Sequence, residues 1–162
     1  MPLIPLHRAL TDRTAADAHP VSAITGLQSE VDSARLKIPV VDGWSGPTLV
    51  DAATGSGVAR HAAVYLDASG VWQLAAQDAE ATADGLLGLV ITDVSANTAT
   101  IGLPAGVARR SAWTWTAGGA VYLGSAGALT QTEPSSNVVR RVGYALTAQA
   151  LYFAPSVALT LA

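Results

Sequence analysis

From residue 41 onward, apolar residues come in runs of about four to eight, rich in Val, Thr, Ile, Tyr and Trp and separated by Gly, Asp, Ser, Asn and Pro. Runs of that length and composition predict strands rather than helices. Strands are expected near 47–51, 62–67, 70–75, 86–93, 97–103, 107–111, 120–123, 127–131, 138–147, 150–154 and 156–161. Turn chemistry falls between them at Ser69-Gly70, Ala96-Asn97, Ala126-Gly127 and Ala148-Gln149. Many short strands joined by close turns predict a mainly β fold, a small barrel or sandwich.

The pattern repeats itself. Ala63-Val64-Tyr65-Leu66-Asp67-Ala68-Ser69-Gly70 matches Ala120-Val121-Tyr122-Leu123-Gly124-Ser125-Ala126-Gly127. Leu87-Gly88-Leu89-Val90-Ile91-Thr92 matches Val142-Gly143-Tyr144-Ala145-Leu146-Thr147, and each copy runs on to a proline, Pro104 or Pro155. Two copies, about 62–104 and 119–155, are too few for a solenoid. A duplicated β-motif closing into one pseudo-symmetric barrel is the expectation, with Tyr65 and Tyr122 in equivalent packing positions.

Before residue 41 the period changes. Pro2 and Pro5 favour an extended start, and His19-Pro20 biases residue 19 the same way. Ile24, Leu27, Val31, Ala34 and Ile38 are spaced 3, 4, 3 and 4 apart, a coiled-coil seam. Thr25 and Gln28 form a capping-box pair, and Pro39 stops the helix. A helix of roughly two to three turns is too short to stand alone, so it needs partner chains or another surface. The chain thus divides into an extended arm (1–23), a short helix and linker (24–40) and a β-module (41–162).

Composition narrows the class. Half the residues are hydrophobic and only 13% are charged, with a mean hydropathy of +0.35. No apolar run reaches the ~18 residues of a membrane helix, so the excess apolar surface is expected to meet protein. The N-terminus lacks the basic and apolar regions of a secretory signal. Net charge is −3, and Arg109-Arg110 and Arg140-Arg141 are isolated pairs, read as solvated or interfacial rather than as a nucleic-acid footprint. The lack of cysteine excludes disulfides, thiol catalysis and Cys-ligated zinc.

Candidate chemistry is sparse. His7, His19 and His61 lack metal-ligand spacing, and His61 reads as a residue leading into a strand beside Arg60. Asp67, Asp78, Glu80, Asp84 and Asp93 do not alternate like a calcium loop. The most ligand-like of them, Asp67, aligns with Gly124, which points to a turn role. No Gly-x-Ser-x-Gly elbow occurs, and Gly55-Ser56-Gly57 has no lysine for a phosphate loop. The chain reads as a non-enzyme with no cofactor and no metal. Trp113-Thr114-Trp115 is the one conspicuous aromatic feature; in a strand both rings share a face. The favoured reading puts them in the core or at a subunit interface, the other exposes them to a sugar or a protein partner.

The segment Asp17-Ala18-His19-Pro20-Val21-Ser22-Ala23-Ile24-Thr25-Gly26-Leu27-Gln28 resembles a linker of bacteriophage fibre proteins, in which a His-Pro-x-Ser-x-Ile-x-Gly-Leu stretch precedes a short helix. Residues 58–157 resemble small phage head-decoration and fibre modules. The likeness there lies in the Ala-Val-Tyr-Leu hairpins, Val139-Arg140-Arg141-Val142-Gly143-Tyr144-Ala145-Leu146 and Leu151-Tyr152-Phe153-Ala154-Pro155-Ser156. The resemblance implies a trimeric virion protein, made in the bacterial cytoplasm, that binds the major capsid or another virion protein. Leu3, Ile4, Leu6, Arg8 and His19 would carry attachment; Ile24, Leu27, Val31, Ala34 and Ile38 would carry oligomerisation. Only about 120 residues follow the linker, which favours a head decoration, cement or head-fibre protein. The alternative is a tail-fibre or baseplate adaptor binding a receptor or host-surface glycan through Trp113 and Trp115. Neither reading involves nucleic acid or membrane.

Overall fold

Each copy of the repeat builds its own sheet. The computed structural model describes residues 38–161. Its contacts divide the chain at Arg35/Leu36, and every strand described belongs to the second unit, Leu36–Ala162. The first sheet contains β2 (Thr48–Ala53), β3 (Ala63–Leu66), β4 (Trp72–Leu74), β5 (Leu87–Val90) and β6 (Thr98–Gly102) in the order β2-β6-β5-β3-β4. The second contains β1 (Gly43–Ser45), β7 (Gly106–Arg109), β8 (Ala120–Leu123), β9 (Leu129–Thr130), β11 (Arg141–Thr147) and β12 (Ala150–Phe153) in the order β1-β7-β12-β11-β8-β9. With β1 set aside, the two orders match strand for strand. All ladders are antiparallel, and Val64 faces Gly88 as Val121 faces Gly143.

The equivalence extends to single hydrogen bonds. The His61 N–H donates to the Val90 carbonyl over 2.7 Å, and the Gly118 N–H donates to the Ala145 carbonyl over 2.7 Å. The Asp67 and Gly124 N–H groups likewise donate to the carbonyls of Val71 and Ala128. The hairpin glycines Gly70 and Gly127 have φ +79° and +75°, the left-handed region that glycine enters at least cost. Asp67 has the turn role its alignment suggested: its carboxylate accepts the Ser69 and Val71 N–H groups and the Gln73 amide. These bonds hold the carboxyl below the usual aspartate range, Val71 contributing most and Gln73 next.

The result is mainly β and sandwich-like, one of the two forms expected; the duplicated motif does not close into a barrel. Strands alternate their side chains, so Ala63, Leu87 and Leu89 face a core shared with Val121, Leu123, Val142, Leu151 and Phe153 of the other sheet. Their neighbours Val64 and Val90 join Trp72 and Ile101 in a second core. Burial on both faces explains the uninterrupted non-polar stretch Leu87–Val90, since neither face of β5 can be polar. Thr54 and Trp72 form one isolated parallel bridge between the ends of the first sheet. A single bridge is not a ladder, so that sheet curls without closing. At the crossing between sheets, the Trp44 ring lies over Gly102 and Gly106 and meets Phe153 edge-on, centroids 6.2 Å apart. A Cβ on Gly106 would lie 1.9 Å from that ring, so glycine is required there.

Several expectations are corrected. The strand expected over 138–147 is two, β10 (Val138–Val139) and β11, divided at Arg140. Arg140 is not solvated. It is buried, and its guanidinium donates to the carbonyls of Ala83, Gly85 and Ser156. Burial pushes its pKa below the usual arginine value, and the charge of Asp84 opposes that shift. The carboxylate-bearing stretch after β4 includes a one-turn helix, α1 (Glu80–Ala83), whose carboxy-terminal carbonyl Arg140 holds. The strand expected over 156–161 is only β13 (Leu159–Thr160), paired with β10. Trp113 and Trp115 lie in an irregular segment, not a strand.

The hairpin at Ala96-Asn97 forms as expected. Ser95 and Thr98 exchange both backbone bonds, 3.0 and 2.9 Å, around two residues with φ +47° and +58°. That is a type I′ turn, which Asn-Gly suits better than Ala-Asn. Combining Ala96→Asn with Asn97→Gly is expected to stabilise the module by about 0.5–1 kcal/mol in urea denaturation. A lower midpoint would contradict the turn assignment.

Candidate binding cleft

Three segments meet at the rim of the shared core. Arg60, His61 and Ala62 lead into β3, Arg110, Trp113 and Trp115 follow β7, and Ala126–Leu129 form the β8–β9 turn. Together they line a cleft of about 360 Å³, near the lower end of the ~300–1,000 Å³ typical of small-molecule sites.

Backbone bonds hold each segment in place. The Arg110 N–H donates to the Gln149 carbonyl over 3.0 Å, and the Trp115 N–H to the Ala148 carbonyl over 2.8 Å. The Gly127 N–H crosses to the first sheet and donates to the Ala75 carbonyl over 2.6 Å. Asp42 anchors the far side by accepting the N–H and hydroxyl of Ser111. Desolvation raises the Asp42 carboxyl, but the two Ser111 bonds together with the charges of His61 and Arg60 hold the group below the usual range.

The two tryptophans are not equivalent. Trp113 is only 8% exposed and belongs to the core. Trp115 is half-buried and packs on Trp113, ring centroids 5.5 Å apart. Its indole N–H is buried without an acceptor, so solvent meets the ring rather than the polar edge. His61 meets Trp113 edge-on at 5.6 Å. Burial, then the charges of Arg110 and Arg60, push the His61 imidazole below its ordinary pKa; Asp42 and Asp93 pull the other way. It is therefore neutral at pH 7, with one nitrogen to donate and one to accept.

The guanidiniums are weakly committed. The Arg60 Nε is buried and unpartnered, and its Nη2 makes only a 3.5 Å contact with the Asp42 carbonyl. No carboxylate lines the cleft. The site therefore offers positive charge, a neutral imidazole and an indole face. Among the described residues no three His, Cys, Asp or Glu side chains converge as metal ligands.

Of the proposed attachment, oligomer and surface-anchor residues, only Trp113 and Trp115 lie here; His61, expected only to lead into a strand, joins them. Ile38 is described, non-helical and 42% exposed. Leu3, Ile4, Leu6, Arg8, His19, Ile24, Leu27, Val31 and Ala34 lie outside the described residues. Arg110 stands in the sequence as half of an isolated charged pair and Arg60 only as the neighbour of His61, although the repeat carries a signal for the latter two. Ala117-Gly118 stand where the first copy has Arg60-His61, so the chemistry belongs to one copy alone. Comparison with known proteins finds no match: no family model, no curated protein and no solved structure corresponds to this chain.

Proposed function

We propose that this chain is a structural, non-catalytic protein of a bacteriophage particle. In this reading it acts as an oligomer, a trimer through the seam Ile24, Leu27, Val31 and Ala34, that decorates or cements the capsid or forms a head fibre. The fibre-like linker at residues 17–28 and the seam support it from the sequence. The structural observation that carries it is apolar surface left on a mainly β module. Val40, Val41, Val157 and Leu159 are 85%, 71%, 78% and 62% exposed. Val157 and Leu159 share a shallow depression with Tyr144, and clustered exposed apolar side chains mark protein contact surfaces. Many such weak contacts, repeated over a symmetric array, add to firm attachment.

The test is native mass together with cosedimentation on purified particles. The full chain should be trimeric and pellet with particles. Deleting residues 1–20 should abolish pelleting while leaving the thermal transition of the β-module in place. A truncated protein that still decorates particles would remove the arm from the mechanism, and a monomer that ignores particles would remove the assembly role.

A further inference from the structure

The duplication supplies an internal control for the cleft. His61 has φ +69°, a left-handed conformation that costs a residue with a Cβ about 1 kcal/mol or more. Its counterpart Gly118 has φ +79° and makes the same turn: Ala62 and Gly119 donate to the carbonyls of Ala59 and Thr116 over 3.1 Å in both copies. The fold asks for glycine at this position, and only the copy facing the cleft replaces it with an imidazole. Strain retained where an unstrained solution exists next door points to a use for the side chain.

We propose that this cleft binds a saccharide bearing a carboxylate. The half-buried Trp115 ring supplies a flat apolar platform for the C–H face of a pyranose. Arg110, whose guanidinium makes no hydrogen bond among the described residues, supplies a planar donor pair matched to a carboxylate, and Arg60 adds a second positive charge. Neutral His61 donates to or accepts from a ring hydroxyl. Nucleic acid fits less well, because the chain carries a net charge of −3 and the basic residues form a compact pair rather than a stripe. This goes beyond the assembly role and does not depend on particle attachment.

Titration calorimetry and tryptophan fluorescence of the full chain at low salt test it, with trigalacturonate as probe, maltotriose as the neutral control and tricarballylate as a carboxylate without a sugar ring. Trigalacturonate should bind and quench, with maltotriose weaker by about tenfold or more for want of the charge-assisted pair and tricarballylate weaker by about tenfold for want of a ring on Trp115. Arg110→Gln and Trp115→Ala should each weaken binding by at least about tenfold. His61→Gly should do the same at a thermal midpoint no lower than the native one, because Gly118 already makes that turn and the left-handed strain is relieved. Absence of binding, equal binding of either control, or full binding by Arg110→Gln would overturn the proposal.

Discussion

Gly143→Ala is expected to destabilise the module by about 3 kcal/mol or more, at or beyond the upper end of overpacking penalties. A Cβ at this position would lie 1.9 Å from the Tyr152 carbonyl oxygen and 3.1 Å from Leu151 Cδ1. Tyr152 sits on β12, and its neighbour Phe153 is paired with Gly143, so relief requires β11 and β12 to move apart. At roughly 2–4 °C per kcal/mol for a chain of this size, the thermal midpoint should fall by about 10 °C. The repeat partner provides the comparison. A Cβ on Gly88 would meet the Ile101 Cγ2 at 2.3 Å and Trp72 at 3.0 Å, which are side chains rather than backbone. Gly88→Ala should therefore cost less, about 1–3 kcal/mol, by partial repacking. Equal losses in the two variants would show that the backbone clash does not control the effect.

Arg140→Met is expected to cost about 3–5 kcal/mol, because it takes the donor from three backbone carbonyls at a buried site, each unsatisfied group costing about 1–3 kcal/mol. Methionine fills much of the space but donates nothing, leaving the carbonyls of Ala83, Gly85 and Ser156 without their donor. Arg140→Lys keeps the charge, but one ammonium cannot reproduce the arginine fork across α1 and the segment after β12, so an intermediate loss is expected. Hydrogen exchange should show residues 79–86 and 154–160 losing protection first. If Arg140→Met unfolds at the native denaturant midpoint, the buried guanidinium contributes no net stability.

These two sites differ in how visible they were. Gly143 stands in a run matched by Leu87–Thr92, and a glycine inside a repeated strand signals close backbone approach. Arg140 stands beside Arg141 in a chain of low charge, and the pair looked like exposed surface. Only one is buried, because β10 ends at Val139 and β11 begins at Arg141. That break turns the intervening side chain toward α1, a helix too short to announce itself by periodicity. Similarly, Trp113 and Trp115 could be marked as a pair but not placed. Their segment is held by Arg110 and Ala148 carbonyls rather than by a ladder, so strand alternation did not apply.

By itself, the sequence determined the mainly β character, the duplication and the main hairpin positions, because these rest on local spacing and on the φ preferences of turn residues. Tertiary structure alone decided that each copy forms a separate sheet, since strand order depends on pairings such as β7 with β12 across some 40 residues. It alone buried Arg140, and it alone gathered Arg60, His61, Arg110 and Trp115 around one cleft. Such sites are set by long-range register and by which face each sheet turns to the shared core, and no local pattern encodes either.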